Sequence, residues 1–273
     1  MAAEQSSSSI DPMHQFQIDP IVDLSVGGYN LAFTNSALWM MIVLGAILVF
    51  MLGGMKRELV PGRWQLMVEG ITGFVSSMID TNIGPEGRKY LPWVFTIFIF
   101  ILFANLMGMM PFGVLSPLAP HVPGVGALSH PFTVTSQFTI TGVLAIISFS
   151  IVLIVGFWKH GFHFFSLFVP HGTPAVLLPL IFLIELLSFL VRPFSLALRL
   201  FVAMIAGHIL VKVFASFVVS GLTADGPMGW GIALLSFVFI AGVSALELLV
   251  CAIQAYVFAL LTSLYINDAE NLH

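Results

Sequence analysis

Two apolar runs restrict what this chain can fold into more than any other feature. Thr173 to Ser220 is predominantly apolar for 48 residues, and Trp230 to Ile266 for 37. About 20 residues suffice for a helix to cross a bilayer. Only Gly221 to Gly229 lies between the runs, with Gly221, Asp225, Gly226 and Pro227 as turn formers. One reading breaks each run into two crossings. Neither run, however, carries a polar turn cluster in its interior, and isolated prolines such as Pro179 and Pro193 act as kinks. The expectation is therefore two very long helices in a hairpin, steeply tilted. From Ser220 to Arg199 there are 21 residues, or about 31 Å of helix. With Arg199 near the midplane only about 15 Å of depth is available, so the tilt from the normal is roughly 60°, beyond the usual range of about 0–40°.

The rest of the chain fits the same solvent. It is 59% hydrophobic and 8% charged, where a soluble domain carries roughly a quarter charged residues. The fold class is all-α, a polytopic membrane protein forming a single membrane domain over 1–273. Residues 1–36 read as a polar N-terminal arm: Ser6 to Ser9 as a disordered stretch, Pro12 to Ile21 as a segment on the membrane surface. The arm contains no Lys or Arg, so it lacks the positive region of a secretory signal. A first span covers 37–54. Residues 62–82 place Leu66, Ile71, Phe74, Val75, Met78 and Ile79 at helical spacing among Arg63, Gln65, Glu69 and Asp80. That pattern describes an amphipathic interfacial helix. A transmembrane hairpin follows over 91–158, its Pro- and Gly-rich loop at 111–133, and the long tilted hairpin occupies 173–266.

The nine basic residues decide orientation. Lys56, Arg57, Arg63, Arg88, Lys89 and Lys159 all fall on one side, while the N-terminal arm and the 111–133 and 221–229 loops have none. The positive-inside rule puts the N-terminus outside and the C-terminus in the cytoplasm. Cys251 is the single cysteine and has no internal partner. His160, His163 and His171 follow Lys159 with no acid or thiol beside them, so no metal site and no cofactor are expected. No basic cluster points to nucleic acid, and no phosphate-binding glycine loop precedes a Lys-Ser/Thr pair.

Within the two apolar runs the ionisable groups that matter are Glu185, Arg192, Arg199, His208, Lys212 and Glu247, with Gln254 as a neutral companion. Arginine keeps its proton at physiological pH, and at the centre of a membrane helix it costs about 2.5–3.5 kcal/mol on the lenient insertion scale. Positions 194 to 207 contain no acid, so Arg199 needs a partner from elsewhere or a polar cavity. Glu185, Arg192 and Arg199 are spaced by seven and form one stripe. His208 lies nine residues beyond Arg199, on the opposite side of a straight helix. Counted from Asp225, Arg199 and Gln254 fall at similar depth, His208 and Glu247 nearer the turn, and Glu185 on the inner side. A fixed cation with titratable groups outward and inward of it is what two separate proton half-paths require. Blander roles also fit. Arg192 and Lys212 are long enough to snorkel, Glu185 can pair with Arg192 along one face, and Gln254 can bind helix to helix.

Arg192-Pro-Phe-Ser-Leu-Ala-Leu-Arg199-Leu-Phe201, followed by Ala206-Gly207-His208, resembles the signature around the essential arginine of subunit a of the F-type ATP synthase. Leu246-Glu247-Leu-Leu-Val250 and Ile253-Gln254-Ala-Tyr-Val-Phe258 resemble that family's C-terminal motif. Asn105 to Pro111 and Phe33 to Ser36 resemble further family segments. The resemblance implies that Arg199 faces a rotating c-ring and separates two half-channels. It implies that Glu247 and His208 form a polar pair, that Gln254 faces the arginine's neighbourhood, and that Glu185 is an acid of the inner half-channel. Arg192 and Lys212 would give support. Ala203 departs from the pattern, since many members carry Asn there. The Gly-His order and Lys212 look closest to alphaproteobacterial and mitochondrial members. The implied partners are the c-ring of small hairpin subunits, peripheral-stalk b-type subunits and membrane lipid. The implied setting is a bacterial inner membrane, with nucleotide chemistry on other subunits. The main alternative is a self-contained ion-coupled transporter or channel, which predicts internal repeats and a site at broken helices; no convincing repeat is present.

Overall fold

The computed structural model describes residues 20–22, 25–26, 29–30, 32–56, 60–110, 133–161, 164, 177–224 and 226–271. Ser6 to Ser9, Arg57, His163, His171, Asp225 and almost all of the 111–133 loop lie outside them, as does Pro12 to Ile21 apart from its last two residues. Six long helices carry the fold: α1 (Asn35–Gly54), α2 (Arg63–Asn82), α3 (Leu91–Met109), α4 (Phe138–His160), α5 (Leu178–Thr223) and α6 (Pro227–Glu270). Five helical segments are long and apolar enough to cross a membrane, and α2 is not among them. The end of the polar arm is not wholly irregular. Two short antiparallel ladders form there, one pairing Pro20 with Thr34 and Val22 with Phe33, the other Ser25 with Asn30 and Val26 with Tyr29.

Local chemistry sets the helix ends. The Thr34 hydroxyl accepts from the Ala37 amide at 3.4 Å and caps α1. Trp64 of α2 donates its indole N–H to the Phe50 carbonyl at 2.9 Å, satisfying an acceptor near the end of α1. Arg88 grips the Asp80 carboxylate with two hydrogen bonds, at 3.0 and 3.1 Å, across the corner between α2 and α3. The Arg88 hydrogen bond holds the Asp80 carboxyl below its ordinary range. The face of α2 differs from the periodicity in one respect. Val75, Met78 and Ile79 are buried, but Leu66 and Phe74 stay exposed while Gln65 and Val68 turn inward. The cause is the approach of α1, whose Gly54 lies so close to Val68 that a Cβ there would overlap it.

The two C-terminal helices are single and unbroken, and each ends beyond the C-terminal limit of its apolar run. α5 begins at Leu178 and ends at Thr223, while α6 runs from Pro227 to Glu270. At 46 residues, α5 is about 69 Å long. Pro193 lies inside it, and the helix continues through. The hairpin closes tightly because both partners at the crossing are glycine. A Cβ on Gly221 would sit 2.7 Å from the Gly229 carbonyl oxygen, and one on Gly229 would sit 2.6 Å from that of Gly221. Gly226, at φ 107°, makes the turn that L side chains rarely adopt. The core joins Ile97 and Ile101 of α3, Val152 of α4, Leu196, Leu200 and Met204 of α5, and Cys251, Ala255, Ala259 and Ile266 of α6. Small residues on α6 let the helices approach closely.

Candidate functional site

The register of the long hairpin fixes which polar groups can meet. Gly221 packs on Ala233, Gly207 on Glu247, and Met204 on Cys251 with sulfurs 3.9 Å apart. At the far end Arg192 meets Asp268 at 3.0 Å. Arg199 therefore lies level with the part of α6 between Cys251 and Asp268, an interval that contains Gln254. Leu196, Ala197 and Leu200 are buried, but Arg199 itself is exposed. Among the described residues no carboxylate pairs with it. Around it the surface of the hairpin is apolar and uncovered, with Phe194, Val202, Leu249 and Ile253 all exposed. Gln254 is half-buried.

Toward the hairpin turn, a polar cluster is buried among three helices. His208 and Glu247 face each other with Nδ1 and Oε1 3.1 Å apart. The contact has ion-pair distance but not hydrogen-bond angles, so Oε1 lacks a hydrogen-bond donor among the described residues. Gly207 makes this possible, since a Cβ there would lie 2.8 Å from Oε1. The other ring nitrogen of His208, Nε2, meets the Thr133 hydroxyl at 2.6 Å. Beside it Thr135 donates to the Asn105 side-chain oxygen at 2.6 Å, and the Asn105 amide donates to the Cys251 carbonyl at 3.3 Å. Lys212, half-buried, lies one turn further along α5.

The opposite end of the bundle holds the remaining charges. Glu185 is half-buried and does not pair with Arg192, as the seven-residue spacing had allowed. Arg192 instead reaches across to Asp268 and lies over the rings of Phe189 and Tyr265, at 5.5 and 5.0 Å. Glu270, almost fully buried, takes Lys89 of the turn before α3 and Lys159 of α4, the latter at 3.3 Å. His160 Nε2 lies 3.1 Å from the Glu270 backbone oxygen. Three chain segments are thus tied to the end of α6. Among the described residues no three His, Cys, Asp or Glu side chains are placed to hold a metal ion.

The structure thus joins His208 with Glu247, sets Gln254 opposite the region of Arg199, and separates Glu185 from both. Sequence reasoning missed Thr133, Asn105, Thr135, Asp268 and Glu270. Asn105 could have been found as an amide within an apolar span; the short Thr-Val-Thr-Ser turn carries no comparable signal.

The chain matches the family model described as ATP synthase A chain over residues 37–267. It is 64% identical, over the full length of both chains, to ATP synthase subunit a of Rhizorhabdus wittichii. It is 62% identical, again over the full length of both, to ATP synthase subunit a of Erythrobacter litoralis. The protein of that name from Zymomonas mobilis is 53% identical, with 98% of this chain and 99% of that one covered. Matches of this extent, on a chain with five membrane-length helices, place it in the membrane sector and not among catalytic subunits: the chain belongs to the ATP synthase subunit a family.

Proposed function

We propose that this chain carries protons through two offset half-channels that meet at Arg199, against a ring of small hairpin subunits whose rotation drives ATP synthesis or is driven by hydrolysis. The observation that carries the reading is Arg199 itself, a permanent cation exposed on an apolar helix face with no acid beside it among the described residues. A carboxylate on a passing ring subunit supplies the missing counter-charge and is held ionised while it stays there. On leaving, it takes a proton from one path, becomes neutral, and faces lipid at little cost. After nearly a full turn it releases the proton into the other path. Each charge crossing is worth about 2.3 kcal/mol per 100 mV, so one ATP needs several.

His208 and Glu247 form the outer path and Glu185 belongs to the inner one. Gln254 lines the approach to Arg199, while Arg192 and Lys212 stabilise the ends. α5 is about 69 Å long against a hydrocarbon core of about 30 Å, which supports a steep lie of the hairpin along the curved ring. Peripheral-stalk b-type subunits and lipid cover other faces. The protein sits in a bacterial inner membrane. Lys89 and Lys159, placed inside by the positive-inside rule, meet at the end of α6 with Glu270. That convergence supports a cytoplasmic C-terminus and an outer N-terminus. Side-selective labelling tests the arrangement. In a background without Cys251, cysteines at 208 and 247 should react with impermeant thiol reagents added outside, and one at 185 with reagents added inside. Reversed sidedness would overturn it.

A further inference from the structure

We propose that Thr133 is a positioning residue for the outer proton path, holding the His208 ring so that Nδ1 faces Glu247 in both protonation states of the histidine. The inference rests on the reading of His208 and Glu247 as that path. Thr133 is 4% exposed and its hydroxyl lies 2.6 Å from His208 Nε2. The opposite nitrogen, Nδ1, is the one that lies 3.1 Å from Glu247. A ring gripped at Nε2 cannot flip without giving up that bond, so the grip selects which nitrogen meets the carboxylate.

A hydroxyl suits this task because it both donates and accepts. Beside neutral His208 with its proton on Nδ1, Thr133 donates to the bare Nε2. When Nε2 carries a proton, the hydroxyl rotates and accepts from it. Neither state leaves Nε2 unpaired, which would cost free energy at this largely buried position. An ionised carboxylate here, which only accepts, would favour one state over the other.

The placement of Thr133 is itself built. It precedes a short 3-10 turn, Val134–Ser136, whose residues are all buried. Its backbone oxygen accepts from the Ser136 amide at 2.9 Å and the Ser136 hydroxyl at 2.6 Å. Its side chain rests on Gly108 of α3, where any Cβ would overlap it. Among the described residues the polar side chains against the ring are Thr133 from this turn and Glu247 from α6, with the charged Lys212 one turn along α5 itself.

The test uses the assembled ATP synthase in inverted membrane vesicles, reading ATP-driven acidification per assembled complex. Thr133→Val keeps the shape and removes the hydroxyl. Thr133→Ser keeps the hydroxyl and removes the methyl group. Positioning predicts that Thr133→Val pumps on the order of tenfold more slowly, while Thr133→Ser stays within about twofold. Parental pumping by Thr133→Val overturns the proposal. So does equal loss in both variants, or failure of Thr133→Val alone to enter the complex, because packing would then explain the residue. His208→Ala serves as the control. Normal pumping by that variant removes the outer-path reading and this proposal with it; loss in His208→Ala beside normal Thr133→Val removes this proposal alone.

Discussion

Gly207→Ala is the smallest change that should disable the outer polar pair. A Cβ at position 207 would lie 2.8 Å from Glu247 Oε1 and 2.9 Å from its Cδ. Ordinary contact begins at about 3.4–3.5 Å, so the carboxylate must retreat by roughly 0.6 Å. Because Gly207 and His208 are neighbours on α5, that retreat also lengthens the 3.1 Å separation of Nδ1 and Oε1, by at most about 0.6 Å, and takes it beyond the reach of about 2.6–3.2 Å within which a proton passes between two groups. The atoms that must yield are the far end of a flexible side chain, so the shift costs little stability and leaves the six-helix bundle folded. Misplacement by about 1 Å, in contrast, costs up to about 100-fold in rate. ATP-driven acidification of inverted vesicles should therefore fall by about 10- to 100-fold, while the amount of assembled complex changes little. Parental pumping by Gly207→Ala would refute the steric reasoning.

Two further outcomes follow from the packing and the charges. Gly221→Ala should weaken the hairpin by about 1–3 kcal/mol, since its Cβ meets backbone atoms that cannot step aside, at 2.7 and 2.8 Å; a lower melting temperature of the detergent-purified protein checks this. The Asp80 carboxyl is held below its ordinary range by Arg88, so the pair contributes above the unfolded carboxyl's range and is lost as pH falls through the lowered folded value. Asp80→Asn should flatten the acid side of the stability profile slightly, and added salt should shrink the difference, because the pair is exposed.

Much of this architecture was legible because the bilayer admits few solutions. The unbroken helices α5 and α6 follow from apolar runs with no polar break, and the turn from Gly221, Gly226 and Pro227. Arg199 was legible for the same reason: a permanent charge in an apolar helix has few bland explanations. What escaped depends on contacts between segments distant in sequence. Arg192 meets Asp268, 76 residues away, in place of Glu185 on its own helix. Lys89 and Lys159 register in sequence only as orientation signals, yet both end on Glu270. Thr133 and Asn105 show no periodicity that marks them as partners of His208 and Cys251. The exposed Leu66 and buried Gln65 of α2 were hidden likewise, since the close approach of Gly54 to Val68 decides that face.

Replacement of Arg199 by alanine tests the central claim most directly. The assay is ATP-driven proton pumping by the assembled complex, with passive proton permeability measured in the same vesicles. If Arg199 holds ring carboxylates ionised and keeps the two paths apart, pumping is abolished and a passive leak becomes possible. Arg199→Lys also fails largely, because an ammonium on a flexible stem is a poorer fixed charge and deprotonates more readily. Normal pumping by Arg199→Ala, with the complex assembled, would contradict the account.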